Sequence, residues 1–141
     1  MTPSSTTEKI GDSQRRILIV DDNQDASDIL VLMLGRLGHD ARAEYDGRAA
    51  LKAAADFHPE VVLLDIGLPG LNGYEVARQL RSGPDGRQMV LIAATGWGQE
   101  ADKQRAHEAG FDFHMTKPLD PDALRKLLAN LPPRSAAAPS P

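Results

Sequence analysis

Val61-Val62-Leu63-Leu64-Asp65 decides the fold: four consecutive apolar residues end abruptly in a carboxylate. An apolar run of strand length with no polar alternation reads as a strand buried on both faces, the pattern of a parallel sheet covered by helices. In such sheets ligands bind in the crevice outside the carboxyl ends of the strands, so Asp65 is expected there. Working outward, Ile17-Leu18-Ile19-Val20 is a second continuous strand, and it too ends in acid, the pair Asp21-Asp22. Met89-Val90-Leu91-Ile92-Ala93-Ala94 stops at the hydroxyl of Thr95, and a strand over residues 111–115 leads into Thr116-Lys117-Pro118. A weaker strand is expected near residues 41–45.

Stretches of helical period separate these runs. Asn23 can cap a helix whose Ala26, Leu30, Met33, Leu34 and Leu37 face inward before Gly38 ends it. A helix of small residues around Ala49 to Phe57 closes at Pro59, and residues 74–81 present Val76, Ala77 and Leu80. The helix expected over 99–109 offers only Ala101, Ala106 and Ala109, so it buries little apolar area and should be the loosest of the fold. Asp120-Pro121 supplies a cap and a first-turn proline to a helix with Leu124, Leu127, Leu128 and Leu131 inward. Five strands alternating with five helices predict an α/β fold built on a parallel sheet.

The 141 residues suit one domain, expected over 15–131. Residues 1–14 are polar, residues 132–141 are a Pro/Ala/Ser stretch, and both are expected to be disordered tails. With 16 basic against 20 acidic side chains and a formal charge of -4, the chain lacks the basic footprint that phosphate-backbone binding needs, so nucleic acid is not an expected partner. There is no cysteine, hence neither a disulfide framework nor a thiolate nucleophile. No run approaches membrane-spanning length and the first residues do not read as a signal peptide, so a soluble cytoplasmic protein with no membrane partner is expected.

Four strands thus deliver Asp21-Asp22, Asp65, Thr95 and Lys117 to one sheet edge. Taken singly, each has a plain reading as a helix cap, a strand residue or a solvated charge. Together, three carboxylates in one cleft repel one another unless a cation neutralises them, and oxygen donors select a hard ion such as Mg²⁺. A metal, a lysine, a hydroxyl and a nucleophilic carboxylate suit phosphoryl transfer, with Asp65 as the candidate nucleophile.

Val20-Asp21-Asp22, Leu64-Asp65, Leu68-Pro69 with Gly73, Ala94-Thr95 and Lys117-Pro118 together resemble the receiver domains of bacterial response regulators, the CheY-like family. The resemblance covers about residues 16–131. It implies a doubly wound, flavodoxin-like (βα)5 fold of strand order 2-1-3-4-5, with Asp65 as phosphoacceptor. It further implies that Asp22, Asp65 and the backbone carbonyl of Gly67 bind Mg²⁺, that Asp21 reaches the metal through water, and that Thr95 and Lys117 grip the phosphoryl group. The implied partners are a histidine kinase or histidine phosphotransfer protein upstream and a protein target downstream, and the domain would catalyse only its own modification.

Two residues depart from the family pattern. His114 stands three residues before the lysine, where Tyr or Phe is usual; it reads either as a switch partner of Thr95 or as a partly exposed strand histidine. Trp97, the only tryptophan, is a packing residue or a guard over Asp65. The segment 110–118 also resembles receivers at the ends of hybrid histidine kinases, which keeps open an excised receiver beside a free-standing module. A Mg²⁺-dependent phosphatase or phosphotransferase with an aspartate nucleophile is a further alternative, although the acid–base position two residues on is Gly67. An FMN-binding flavodoxin lacks its Ser/Thr-rich phosphate loop here. His39, His58 and His107 show no ligand spacing.

Overall fold

The computed structural model describes residues 14–96 and 102–131. Among them the chain forms β1 (Arg16–Val20), α1 (Gln24–Arg36), β2 (Asp40–Glu44), α2 (Gly47–Phe57), β3 (Val61–Asp65), α3 (Gly73–Ser82), β4 (Val90–Thr95), α4 (Asp102–Ala109), β5 (Phe113–Thr116) and α5 (Pro121–Ala129). All strands are parallel, in the order β2-β1-β3-β4-β5, so the doubly wound α/β architecture and strand order implied by the resemblance are those of the chain. Trp97, Ala101, the start of the helix expected at 99, residues 1–13 and the stretch 132–141 lie outside the described residues.

Successive side chains of a strand point to opposite faces, and here each face has its own core. Leu18, Val20, Val62, Leu64, Leu91 and Ala93 pack with residues of α2, α3 and α4, including Ala50, Val76, Leu80 and Ala106. Ile17, Ile19, Val61, Leu63, Ile92 and Ala94 pack with Leu30 and Leu34 of α1 and Leu124 and Leu128 of α5. β3 is central and buried along its whole length, which is why its sequence carries no polar alternation. Asn23, Asp46, Asn72 and Asp120 each accept a hydrogen bond from a first-turn N–H and fix where α1, α2, α3 and α5 begin. No helix among the described residues is long and apolar enough to cross a membrane.

Two sequence expectations need correction. The inward face of α1 is Ser27, Leu30 and Leu34, while Ala26 and Leu37 are exposed and Met33 is half-buried. The buried serine hid this stripe from an apolar-periodicity reading; its hydroxyl is satisfied by the carbonyls of Asn23 (3.0 Å) and Asp21 (3.3 Å). The last strand starts at Phe113, not at 111, because α4 ends in a Schellman turn. The N–H of Gly110 bonds to the His107 carbonyl and that of Phe111 to the Ala106 carbonyl, both at 3.0 Å, with Gly110 at φ +111°. Phe111 is thereby tucked into the core instead of extended.

The residues just before three neighbouring strands turn polar side chains toward the protein. Arg15, ahead of β1, donates from Nη2 to the Leu131 carbonyl (2.9 Å), and its backbone N–H donates to Nδ1 of His39, ahead of β2 (3.1 Å). Glu60, ahead of β3, accepts the Arg16 N–H at 3.0 Å, and Arg16 Nε donates to the His58 carbonyl at 2.9 Å. Nearby, Arg81 of α3 donates to the carbonyls of Gly110 (2.8 Å), Gly86 (2.6 Å) and Met89 (2.7 Å) and pairs with Asp112.

Candidate functional site

At the opposite, carboxyl edge, β1 and β3 run side by side and end together, with Val20 level with Leu64. Parallel pairing therefore brings Asp21, Asp22 and Asp65 into one place although more than forty residues separate them. One carboxylate oxygen of each lies within 4.8 Å of those of the other two. Asp21 and Asp65 are only 8% and 7% exposed, whereas Asp22 opens to solvent. The two buried acids are aimed by the chain that follows them: Asp21 Oδ1 accepts the Asn23 N–H at 3.0 Å and Asp65 Oδ1 accepts the Gly67 N–H at 2.8 Å. Both are Asx-type contacts two residues ahead, local geometry that the sequence could have disclosed and that the motif reading passed over.

Their second oxygens meet one cation. Lys117 Nζ lies 2.9 Å from Asp21 Oδ2 and 2.9 Å from Asp65 Oδ2. Burial draws the Lys117 ammonium toward its neutral form, but the hydrogen bonds and charges of Asp65 and Asp21 outweigh it and hold its pKa above the ordinary lysine value. Three carboxylates against one ammonium still leave excess negative charge at the mouth. The donor set is all oxygen and anionic, convergent and open to solvent on the Asp22 side, so these residues fit a hard divalent cation such as Mg²⁺. Among the described residues the Asp22 carboxylate accepts no hydrogen bond, which leaves its lone pairs for such an ion.

Thr95 closes β4 beside Asp65, whose partner across the sheet is Ala94. It is 1% exposed, and its Oγ1 lies 2.8 Å from His114 Nε2. His114 is level with Ala93, so it is the diagonal neighbour of Thr95 on the same sheet face. Gly73 begins α3 so close to the end of β3 that a Cβ there would come within 2.5 Å of the Ile66 Cα, a contact only glycine avoids. The Ile66–Asn72 loop is thereby held against the strand end that carries Asp65.

A family model for the response regulator receiver domain matches residues 17–129. The chain belongs to the response regulator receiver domain family. Solved receivers are similar over most of its length. A receiver domain of a sensor histidine kinase from Pseudomonas aeruginosa, with a magnesium ion coordinated in its active-site cleft, is 30% identical; the alignment covers 82% of this chain and 94% of that one, with a TM-score of 0.73. The signal receiver domain of a histidine kinase from Syntrophus aciditrophicus is 25% identical, with 90% and 94% covered and a TM-score of 0.76. The chemotaxis response regulator CheY4 of Vibrio cholerae shares the fold at 24% identity, with 82% and 97% covered and a TM-score of 0.77. In this receiver Asp21, Asp22, Asp65 and Lys117 come together at one point, Gly67 is bonded to Asp65, and Thr95 is joined to His114.

Beside the acidic cluster an apolar groove of about 480 Å³ runs between α1 and the loop after β5, walled by Ala26, Ile29, Met33, Pro118 and Pro121 and reaching Asp21 and Lys117. Ile29 is 56% exposed and Leu32, farther along α1, 64%.

Proposed function

We propose that this receiver is the phosphoacceptor of a two-component phosphorelay, in which Asp65 takes the phosphoryl group of a phosphohistidine on a histidine kinase or histidine phosphotransfer protein in the cytoplasm. The observation that carries this reading is the convergence of Asp21, Asp22 and Asp65 with Lys117 bridging two of them. In the transfer a carboxylate oxygen of Asp65 bonds to phosphorus as the donor P–N bond breaks, the electron pair staying on the imidazole. Lys117 turns its ammonium group toward one phosphoryl oxygen, and the Thr95 hydroxyl donates a hydrogen bond to another while keeping its proton. Asp22, Asp65 and the Gly67 carbonyl would hold Mg²⁺ directly, and Asp21 would hold it through water. That ion, when bound, supplies the positive charge that lets an anionic donor approach a carboxylate cluster. The magnesium-bound receiver of the Pseudomonas aeruginosa kinase supports this assignment.

The receiver unit spans residues 15–131, and it signals through protein contacts. The phosphoryl group ends on the chain itself, so the chain acts as a signalling phosphoacceptor and not as an enzyme that releases a product made from a separate substrate. The exposed Ile29 and the groove beside Asp21 suit an apolar helix face of the donor protein. Intact mass after incubation with acetyl phosphate tests the reading: one phosphate is expected on the wild type only with Mg²⁺ present, and none on Asp65→Asn. Equal incorporation in both proteins removes Asp65 from the role.

A further inference from the structure

Thr95 has a single hydroxyl proton, and β5 competes for it. Oγ1 lies 2.8 Å from His114 Nε2 and 3.5 Å from the Met115 carbonyl. The second distance is at the limit of a hydrogen bond, so the contact that fixes the hydroxyl is the one to the imidazole. An imidazole nitrogen accepts when bare and donates when it carries hydrogen, and both arrangements fit a 2.8 Å separation. If Nε2 is bare, the Thr95 proton points at His114 and is withheld from the carboxyl-edge cleft. If Nε2 carries hydrogen, it donates to Oγ1 and the Thr95 proton is left for an acceptor beside Asp65.

Resting on the assignment of Thr95 to the phosphoryl group made above, we infer that His114 is a positioning residue that works as a hydrogen-bond donor. In the phosphorylated protein its Nε2–H holds Thr95 Oγ1 and turns the Thr95 proton toward a phosphoryl oxygen. The side chain therefore acts through the direction of one proton, not through bulk. The diagonal β4–β5 pairing that puts His114 level with Ala93 gives the ring its reach to Thr95. Because Thr95 is almost wholly buried, water is a poor substitute for the imidazole as its partner.

The test is long-range ¹H–¹⁵N spectroscopy of the histidine rings in the full chain at pH 7.5, with Mg²⁺ and with or without beryllofluoride as the phosphoryl probe. The His114 signals are assigned by their loss in His114→Gln. With beryllofluoride saturating, the shift of Nε2 should be that of a protonated nitrogen, while His39, His58 and His107 keep their shifts. A bare Nε2 in that state means Thr95 donates to His114, and overturns the inference. Affinity for beryllofluoride gives a second measure: His114→Gln, which keeps an N–H donor at similar reach, should bind within about twofold of wild type. His114→Leu should bind about three- to tenfold more weakly, the worth of one hydrogen bond. Equal binding by wild type and His114→Leu also overturns it. Absence of any beryllofluoride response that depends on Asp65 would instead bring down the phosphoacceptor reading, and this inference with it.

Discussion

At the amino edge of the sheet, Arg15, Arg16, His39 and Glu60 are held by the chain itself: a guanidinium meets the Leu131 carbonyl, a carboxylate meets the Arg16 N–H, and an imidazole meets the Arg15 N–H. At the carboxyl edge, Asp21, Asp22, Asp65 and Lys117 face one another directly, three carboxylates against one ammonium, and one carboxylate faces solvent without a partner among the described residues. Both edges are made by residues flanking the same parallel strands. What separates them is how the hydrogen-bonding capacity is used. At the amino edge backbone groups take most of the hydrogen bonds and fix the strand starts, with Arg15 Nε and one Glu60 oxygen buried and unpartnered among the described residues. Acids left in excess at the carboxyl edge instead create a site with a demand for positive charge.

The largest effect that sharpens this contrast is expected from a pair of substitutions. Lys117→Met removes the ammonium between Asp21 and Asp65 and should cost about 1–2 kcal/mol in metal-free urea denaturation, less than the breaking of a fully buried pair because the lysine is about a third exposed. It should abolish phosphate incorporation from acetyl phosphate, and millimolar Mg²⁺ should recover part of the lost stability. Arg15→Met, which leaves the buried Leu131 carbonyl without its donor, should cost a similar ~1–2 kcal/mol with no magnesium recovery and with incorporation within about twofold of wild type. Equal magnesium rescue of both variants would erase the distinction between the edges.

A smaller effect isolates the metal. Asp22 is exposed, so Asp22→Asn should change metal-free stability by less than ~0.5 kcal/mol. Wild type should gain about 1 kcal/mol from magnesium at a few times its dissociation constant, and Asp22→Asn should lose most of that gain. Thermal denaturation with and without MgCl₂ reads both quantities, and an undiminished gain in the variant would detach the cation from this carboxylate.

The smallest effect belongs to the amino edge and appears with pH. Burial first, and the Arg15 charge second, lower the His39 pKa below its ordinary value, with Glu60 opposing. Nδ1 is the acceptor of the Arg15 N–H, so protonation there breaks that bond. A depressed folded-state pKa means that the contribution is fully present above the unfolded value of about 6.5 and is lost as pH falls through the folded one. Urea midpoints at pH 7.5 and 5.5 should therefore differ more in the wild type than in His39→Gln. An identical pH dependence in the two proteins would show that the His39 contact contributes nothing to it.

The carboxyl edge was legible in the sequence because each of its residues ends or follows an apolar run: once β1, β3, β4 and β5 are parallel, Asp21, Asp65, Thr95 and Lys117 have nowhere else to go. The amino edge was not. Arg15 meets a histidine 24 positions away and a carbonyl 116 positions away, and a charge ahead of a strand carries no local sign of either. The face of α1 was misread for a related reason, since Ser27 is buried by virtue of hydrogen bonds that apolar periodicity does not count. His114 could be singled out by its position before Lys117, but its bond to Thr95 depends on a diagonal register that only the paired strands reveal.

The guanidinium of Arg81 gives α4 a mechanical character. By gripping the Gly110 carbonyl together with those of Gly86 and Met89, it clamps the end of the helix that lies away from Thr95. A helix of eight residues is about 12 Å long, so a tilt of about 10° about a fixed Gly110 would carry the opposite end through roughly 2 Å while the clamped end hardly moved. Such a beam would convert a small push near Thr95 into a graded displacement of one surface, with its fulcrum at the amino edge of the sheet.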